Sequence, residues 1–563
     1  MSTPANRTQA LTQTILQHYA AGDYSQVEAI ARELVSLSPE DGFAWKALGT
    51  ALCSQNRFDE AVPALQQAVQ RMPNNAEAWS NLAQALKILG RLEESIGALQ
   101  NALRRAPQDA NLYNLLGGTL ADYGQLDQAF ASYRRALELD PYNLAAFSNM
   151  LLGYQYHPAS DPAFVKAEAL RFGETVRRMA TPYTDWPNTP DPQRPLNIGL
   201  VSADFGSHPV GRFLQGILGR LDQTRYRIVA YSNRNDVEDA ITRHIRRKVF
   251  LWRAVWGKVD AEVAALIRAD QIDILVDLAG HTGGNRLSLF AWKPAPVQVT
   301  WLGFFATTGV AEIDYILADR CVLPEDETNH FVEAPWYLPD AYYCYTRPGI
   351  LVPVNPLPAL QNGYVTFGCF NNLTKVSDAV IACWGRILSA VPTARLFLKT
   401  SQLKDAKFCA RLQQRLAAHG IGAERVMLEP SSDRKTYLEA YHRVDIALDP
   451  FPFPGGATTV EGLWMGVPVV TLRGNRFIAH QGETILQAAG LPEWIAADQD
   501  EYVAKAVQFA GQLEALAALR ARLRPDVALS PIFDTRRFAS NLETAFRGMW
   551  TAWVEHLNPI VVS

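Results

Sequence analysis

Residues Val444 to Pro468 read Val-Asp-Ile-Ala-Leu-Asp-Pro-Phe-Pro-Phe-Pro-Gly-Gly-Ala-Thr-Thr-Val-Glu-Gly-Leu-Trp-Met-Gly-Val-Pro, an order of residue types suited to holding a phosphate. An apolar run of strand length is broken by prolines, and two glycines and two threonines then open a helical pattern. Glycines let backbone N–H groups approach a ligand closely, and the first helical turn has unpaired N–H groups at the positive end of its dipole. Thr458 and Thr459 add hydroxyl donors. Glu461, further along, is placed as the carboxylate that takes ribose hydroxyls in other nucleotide-binding α/β folds. The same residues also read as a Gly-Gly turn with a threonine N-cap.

Two further groups carry chemistry. Lys375 ends the run Phe370-Asn-Asn-Leu-Thr-Lys, where an ammonium beside asparagines suits a pyrophosphate as a point charge; taken alone it reads as an ordinary exposed lysine. His208 and His281 each follow a strand pattern, and a histidine there is a hydrogen-bonded loop residue or a proton carrier according to what faces it. Asp498-Gln-Asp500 precedes a helical pattern and reads as an N-cap cluster rather than a metal site.

These residues need strands to hold them. Thr181 to Pro195 is too rich in proline for helix or central strand and marks a linker. Beyond it come strand runs at Leu196–Ser202, Arg227–Ser232, Ile272–Leu278, Val297–Leu302, Asp314–Ala318 and Ala334–Leu338. After a second linker from Gly349 to Asn362 the pattern resumes at Tyr364–Phe370, Arg395–Lys399, Val426–Leu428, Val444–Leu448 and Val467–Leu472. Helical stretches between them predict two doubly wound, largely parallel sheets, whose ligands collect at the carboxyl ends of the strands. His208, the His281 loop, Trp301-Leu302-Gly303, Lys375 and the Thr458 turn all fall at such ends.

The first part of the chain is different. Prolines 39, 73, 107 and 141 recur every 34 residues, and Trp45, Trp79, Tyr113 and Phe147 keep the same interval. Aromatic and leucine residues three apart put an apolar stripe on one helix, a Gly or Asn ends it, and small alanines admit a second helix. The pattern matches the tetratricopeptide repeat, which stacks into an α-solenoid with a peptide-holding face. Asn81 and Asn149 occupy equivalent positions as candidate acceptor contacts, with Leu115 interrupting them. Thr8 to Ser38 forms a degenerate first copy, and Ala167 to Met179 is expected to cap the array. The repeats also read as a spacer or an oligomerisation surface.

At 563 residues the chain accommodates several cores, and a net charge of −4 argues against a general nucleic-acid binder. Its six cysteines are scattered, with no metal-ligand spacing, as in a reducing compartment. No segment resembles a signal peptide or a membrane span, so the expectation is a cytoplasmic protein without membrane partners.

The repeats joined to Ser202-Ala-Asp-Phe-Gly-Ser-His-Pro209, Pro294-Ala-Pro-Val-Gln-Val-Thr-Trp-Leu-Gly303, Phe370-Asn-Asn-Leu-Thr-Lys375, Gly455-Gly-Ala-Thr-Thr459 and Ser530-Pro-Ile-Phe-Asp534 resemble the peptide O-GlcNAc transferase family over nearly the whole chain. The resemblance implies a glycosyltransferase B fold of two Rossmann-like domains, with UDP-GlcNAc as donor, protein Ser or Thr hydroxyls as acceptors and inversion at the sugar; Lys375 and the helix N-terminus taking up charge on the diphosphate would replace a divalent metal, so no metal cofactor is expected. The expected domains are repeats over 1–180, a linker over 181–195, an N-terminal lobe over 196–348 and a nucleotide-binding lobe over 349–563. By position, the resemblance implies that His208 and Lys375 serve catalysis, and that Asn372, Gly456, Ala457, Thr458 and Thr459 contact the nucleotide. It likewise implies that Arg434 and Tyr437 flank the base, Glu461 holds the ribose, and Leu302 and Gly303 lie around the sugar. Animal members carry Gly-His-Thr-Thr in the phosphate loop, and the long insert between their lobes is absent here. The alternatives are a repeat scaffold with non-catalytic lobes, or a transferase for another UDP-sugar or acceptor.

Overall fold

A computed structural model describes residues 4–235 and 238–557. The chain divides into two compact units: residues up to 150 together with 401–414, and 151–400 together with the remainder from 415.

In the first unit helices pair antiparallel: Pro4–Ala20 with Tyr24–Leu37, Gly42–Ser54 with Phe58–Arg71, Ala76–Ile88 with Leu92–Leu103, and Ala110–Asp122 with Leu126–Leu139. The periodic small residues explain the pairing, since Ala47, Ala51, Ala64, Ala68, Ala85 and Ala102 are all buried at the helix contacts. Asp41, Asn75 and Asp109 cap the first helix of successive repeats by accepting backbone N–H groups. Each such helix is followed by a left-handed residue, Asn56, Gly90 or Gly124. Asn81 donates to Thr50 Oγ1 at 3.2 Å and Asn149 to Asn114 Oδ1 at 2.9 Å, so both amides are engaged along the array.

The second unit holds two parallel sheets. The first contains β1 (Leu196–Ser202), β2 (Tyr226–Ser232), β3 (Leu251–Ala254), β4 (Ile274–Asp277), β5 (Val297–Thr300), β6 (Tyr315–Ala318) and β7 (Ala334–Tyr337), in the order 3-2-1-4-5-6-7. The second contains β8 (Thr366–Cys369), β9 (Arg395–Lys399), β10 (Val426–Glu429), β11 (Ile446–Leu448), β12 (Val469–Leu472) and β13 (Ile495–Ala496), in the order 10-9-8-11-12-13. Both are doubly wound, and the order reverses beside β1 and beside β8, leaving a crevice at the carboxyl ends of β1/β4 and β8/β11. Central strands are buried on both faces, as helices covering both sides require.

The helix expected to cap the repeats runs from Pro162 to Arg178 and belongs to the second unit instead. Phe172 packs edge-on against His281 at 4.6 Å, and Gly173 lies so close to Gly309 that a Cβ there would fall 1.8 Å from its carbonyl oxygen. No helix among the described residues is long and apolar enough to cross a membrane.

Candidate active site

A cleft of about 300 Å³ opens between the carboxyl ends of the two sheets. From the first lobe it is lined by His208 after β1, Thr282 after β4, and Leu302 and Gly303 after β5. From the second lobe come Asn372 and Lys375 after β8, and Gly456, Ala457 and Thr458 after β11. Eight positions singled out in the sequence therefore meet on one surface.

The candidate phosphate seat is the start of the helix Ala457–Trp464, whose N-cap is Gly456 and whose first turn receives no side-chain cap. Its leading N–H groups are open to an anion. Gly455 is required just ahead of it, because a Cβ would fall 2.2 Å from Thr459 Oγ1 and 2.5 Å from Thr458 Oγ1. Thr458 donates to Asn371 Oδ1 at 3.1 Å, and so does Lys375 Nζ at 3.2 Å, so one amide oxygen ties the lysine to the turn. Lys375 also donates to the Pro454 carbonyl at 2.8 Å and stands 4.0 Å over the Phe453 ring. Burial pushes its ammonium down to about 8, with Asp449 opposing. Among the described residues no carboxylate forms an ion pair with it, which leaves its charge for a ligand.

Thr459 does not face the cleft. Its hydroxyl bonds the buried Asp449 carboxylate at 2.9 Å, which also accepts from Gly455 N–H; burial raises that carboxyl to about 6. Thr459 thus fixes the turn from behind.

Glu461, Arg434 and Tyr437 lie one layer from the cleft. Glu461 is buried rather than open to a ligand: it accepts from Arg434 at 2.6 Å and from the Tyr345 hydroxyl, with Arg212 at 3.8 Å. Tyr345 packs on Phe213, which lines the cleft, so this cluster continues the seat outward. Arg434 lies 5.4 Å from the centre of the Tyr437 ring, offering a flat pair against a base.

Across the cleft, His208 is the N-cap of the helix Pro209–Leu218, and its Nδ1 accepts the Val210 N–H at 3.4 Å. That bond places the imidazole proton on Nε2. Burial lowers its pKa against the pull of Asp204, 3.5 Å away. His281, by contrast, is fully buried with Nε2 at 2.9 Å from the Thr308 carbonyl oxygen, and burial lowers it to about 3; it holds the loop and does not face the cleft. Leu302 has a left-handed φ of 73°, a strained conformation for a leucine, at the end of β5. Tyr342, in a loop, and Gln481, the first residue of the helix Gln481–Ala488, line the cleft without a sequence signal, and Phe453 lines it from within the Val444–Pro468 stretch. Asp498 caps the helix Gln499–Ala510 as its spacing suggests, and among the described residues no cluster of three or more His, Cys, Asp or Glu suits a metal.

The arrangement offers a cation and a helix N-terminus to a diphosphate on one wall, and an imidazole and a strained backbone turn on the other. Comparison with known proteins agrees in kind. Residues 170–350 and 346–542 match Glycosyl transferase family 41, and 16–76, 52–117 and 110–143 match tetratricopeptide repeats. A probable UDP-N-acetylglucosamine–peptide N-acetylglucosaminyltransferase SPINDLY of Arabidopsis thaliana is 40% identical over 421 residues, 73% of this chain and 46% of its own length. A UDP-N-acetylglucosamine–peptide N-acetylglucosaminyltransferase of Caenorhabditis elegans is 22% identical over 63% of this chain and 41% of its own. The chain spans about half the length of the curated relatives it matches, the tomato SPINDLY protein among them at 45%. A solved Thermobaculum terrenum O-GlcNAc transferase mutant is 32% identical, covering 99% of this chain and 100% of its own at a TM-score of 0.84.

Proposed function

The chain belongs to glycosyl transferase family 41, and on that premise we propose that it moves N-acetylglucosamine from UDP-GlcNAc to Ser or Thr hydroxyls of proteins. The observation that carries this reading is the link from Lys375 through Asn371 to Thr458, which sets an ammonium beside an uncapped helix N-terminus in a two-lobed cleft. In the proposed reaction the hydroxyl attacks the anomeric carbon opposite UDP, inverting it, while Lys375 and the N–H groups at Gly456, Ala457 and Thr458 take up charge on the departing diphosphate. We assign transfer to a metal-independent route on the strength of that unpaired ammonium, and treatment with EDTA is expected to leave the rate unchanged.

Arg434 and Tyr437 flank the base, with Glu461 carrying Arg434 into position on the ribose side. Asn372 borders the nucleotide, and Leu302 and Gly303 border the sugar. His208 presents Nε2–H to the reacting groups as a donor; it accepts a proton only in the other tautomer. The repeats, through Asn81 and Asn149, hold the acceptor chain. Unpaired thiols at all six cysteines support a cytoplasmic setting.

The second reading is a different sugar nucleotide, favoured by the Gly-Gly-Ala-Thr-Thr turn where animal members have Gly-His-Thr-Thr. Thermal shift with UDP, GDP, UDP-GlcNAc, UDP-glucose and UDP-GalNAc separates the two. The first reading expects UDP-GlcNAc to stabilise most and labelled GlcNAc to appear on Ser or Thr of a peptide pool. A larger shift with GDP or another sugar, or no glycopeptide, overturns it.

A further inference from the structure

Beside the cleft lies a smaller cavity of about 30 Å³, lined in part by Gln155, Phe305, Ala306, His330 and Arg476. Arg476 is only 7% exposed, yet no carboxylate pairs with it among the described residues. Its terminal nitrogens donate to the carbonyls of Ser160 at 2.8 Å and His157 at 2.9 Å, and its Nε–H has no acceptor. His330 Nδ1 is likewise buried and unpartnered. Burial pushes the guanidinium down to about 10, the mark of a charge without compensation. A buried charge is tolerated only when something pairs with it, and a buried N–H without a partner costs roughly 1–3 kcal/mol.

We propose that this cavity takes the carboxylate side chain of a Glu or Asp that flanks the modified hydroxyl in the acceptor polypeptide. The inference rests on the transferase reading above. A carboxylate has two oxygens, enough for both the Arg476 Nε–H and a proton on His330 Nδ1, and brings the negative charge that a water lacks. Lys166, also on the cavity wall and donating to the Asn329 carbonyl at 2.7 Å, adds a second cation.

The position argues for a side chain tethered to the acceptor rather than a free anion. Phe305 lines both cavities, and its ring packs on Phe453 at 5.4 Å, the ring beneath Lys375. Gln155 and Tyr156, neighbours on one helix, face the small cavity and the cleft respectively. The small cavity and the cleft therefore adjoin at Phe305 and at the Gln155–Tyr156 step, which places Arg476 beside the cleft rather than on a remote surface.

The test uses the full chain with UDP and fluorescein-labelled serine peptides in which one glutamate is walked along either side of the serine, each with a glutamine twin. Anisotropy is expected to give about tenfold tighter binding for glutamate at one position. Arg476→Gln should abolish that preference and Arg476→Lys retain part of it. Because Arg476 also ties His157 and Ser160, Ala306→Leu serves as the second variant: it fills the cavity, leaves those bonds intact, and should abolish the preference as well. Equal binding of all twins, or a preference that survives both Arg476→Gln and Ala306→Leu, overturns the assignment. Transfer to the same peptides separates the two claims. A preference without glycosylation leaves the cavity assigned and refutes the transferase, and equal kcat/KM for the twins refutes the cavity alone.

Discussion

Lys375 donates to the Pro454 carbonyl at 2.8 Å, so the loop after β8 is fastened to the loop after β11 just ahead of the helix Ala457–Trp464. A single ammonium thus sets the spacing of the phosphate seat and supplies its charge. The seat's parts are tied together by the protein's own hydrogen bonds, and such preorganisation is what electrostatic stabilisation of a developing charge requires.

Lys375→Met keeps much of the side-chain volume over Phe453 and removes the charge. Transfer is expected to fall by about 10²–10³-fold, the range for losing one preorganised stabilising group, with the fold retained by circular dichroism. The pH response follows from the same group. Burial lowers its pKa to about 8, so the charged form declines as pH rises through that value, and UDP affinity measured by calorimetry should weaken above about pH 8 in the native protein but not in the variant. Full turnover by the variant would refute the assignment.

Arg434 and Glu461 are joined at 2.6 Å with the carboxylate buried and the guanidinium partly open. Removing the carboxylate strands Arg434 and the Tyr345 hydroxyl, whereas Glu461→Gln retains an acceptor. Glu461→Ala should therefore cost about 2 kcal/mol by urea melting, less than a fully buried pair because Arg434 reaches solvent, and Glu461→Gln about half of that. Both should weaken UDP binding. Unaltered UDP affinity in Glu461→Ala would remove the cluster from the nucleotide site.

The two sheets were legible because most of their strands are short, largely apolar runs alternating with helical stretches. β3 and β13 were not, since Leu-Trp-Arg-Ala is a half-buried edge strand and Ile-Ala has two residues, too few for any period to show. The cleft residues on loops after strands were legible by type and place. Glu461 was legible as a helix carboxylate near the phosphate turn, read as a ribose contact, but not as the buried partner of Arg434, 27 residues away, because nothing local couples them. Arg476 carried no signal at all, its environment being made of carbonyls contributed by a helix end some three hundred residues earlier.

Gly173 tests why the helix Pro162–Arg178 leaves the repeats. The sequence marks a helix over Ala167 to Met179; the structure starts it at Pro162 behind an Asp161 N-cap, and the close approach of Gly173 to Gly309, with Phe172 against His281, seats it on the first lobe. Gly173→Ala favours the helix itself by up to about 1 kcal/mol, yet drives a methyl into the Gly309 carbonyl. The clash should win, lowering stability by about 2 kcal/mol and exposing Phe172 to quenching or proteolysis nearby. A melting temperature equal to or above that of the native protein would show the helix free to shift.

His480 supplies a pH-dependent fastening between the lobes. Its Nε2 lies 3.1 Å from Glu327 of the first lobe and its Nδ1 2.9 Å from Glu483 of the second. Burial opposes the charge, but the two carboxylates prevail and raise the imidazole to about 9. Because the folded value lies above the unfolded value of about 6.5, the stabilisation is fully present below about pH 6.5 and is lost as pH rises through about 9. A rise from about 6.5 to about 9 corresponds to roughly 3 kcal/mol, so the native protein should lose that much stability between those values relative to His480→Gln, read from paired denaturant melts across the window. If the two curves run parallel, the imidazole is uncharged in the fold and Glu327 is held to the second lobe by a neutral hydrogen bond alone.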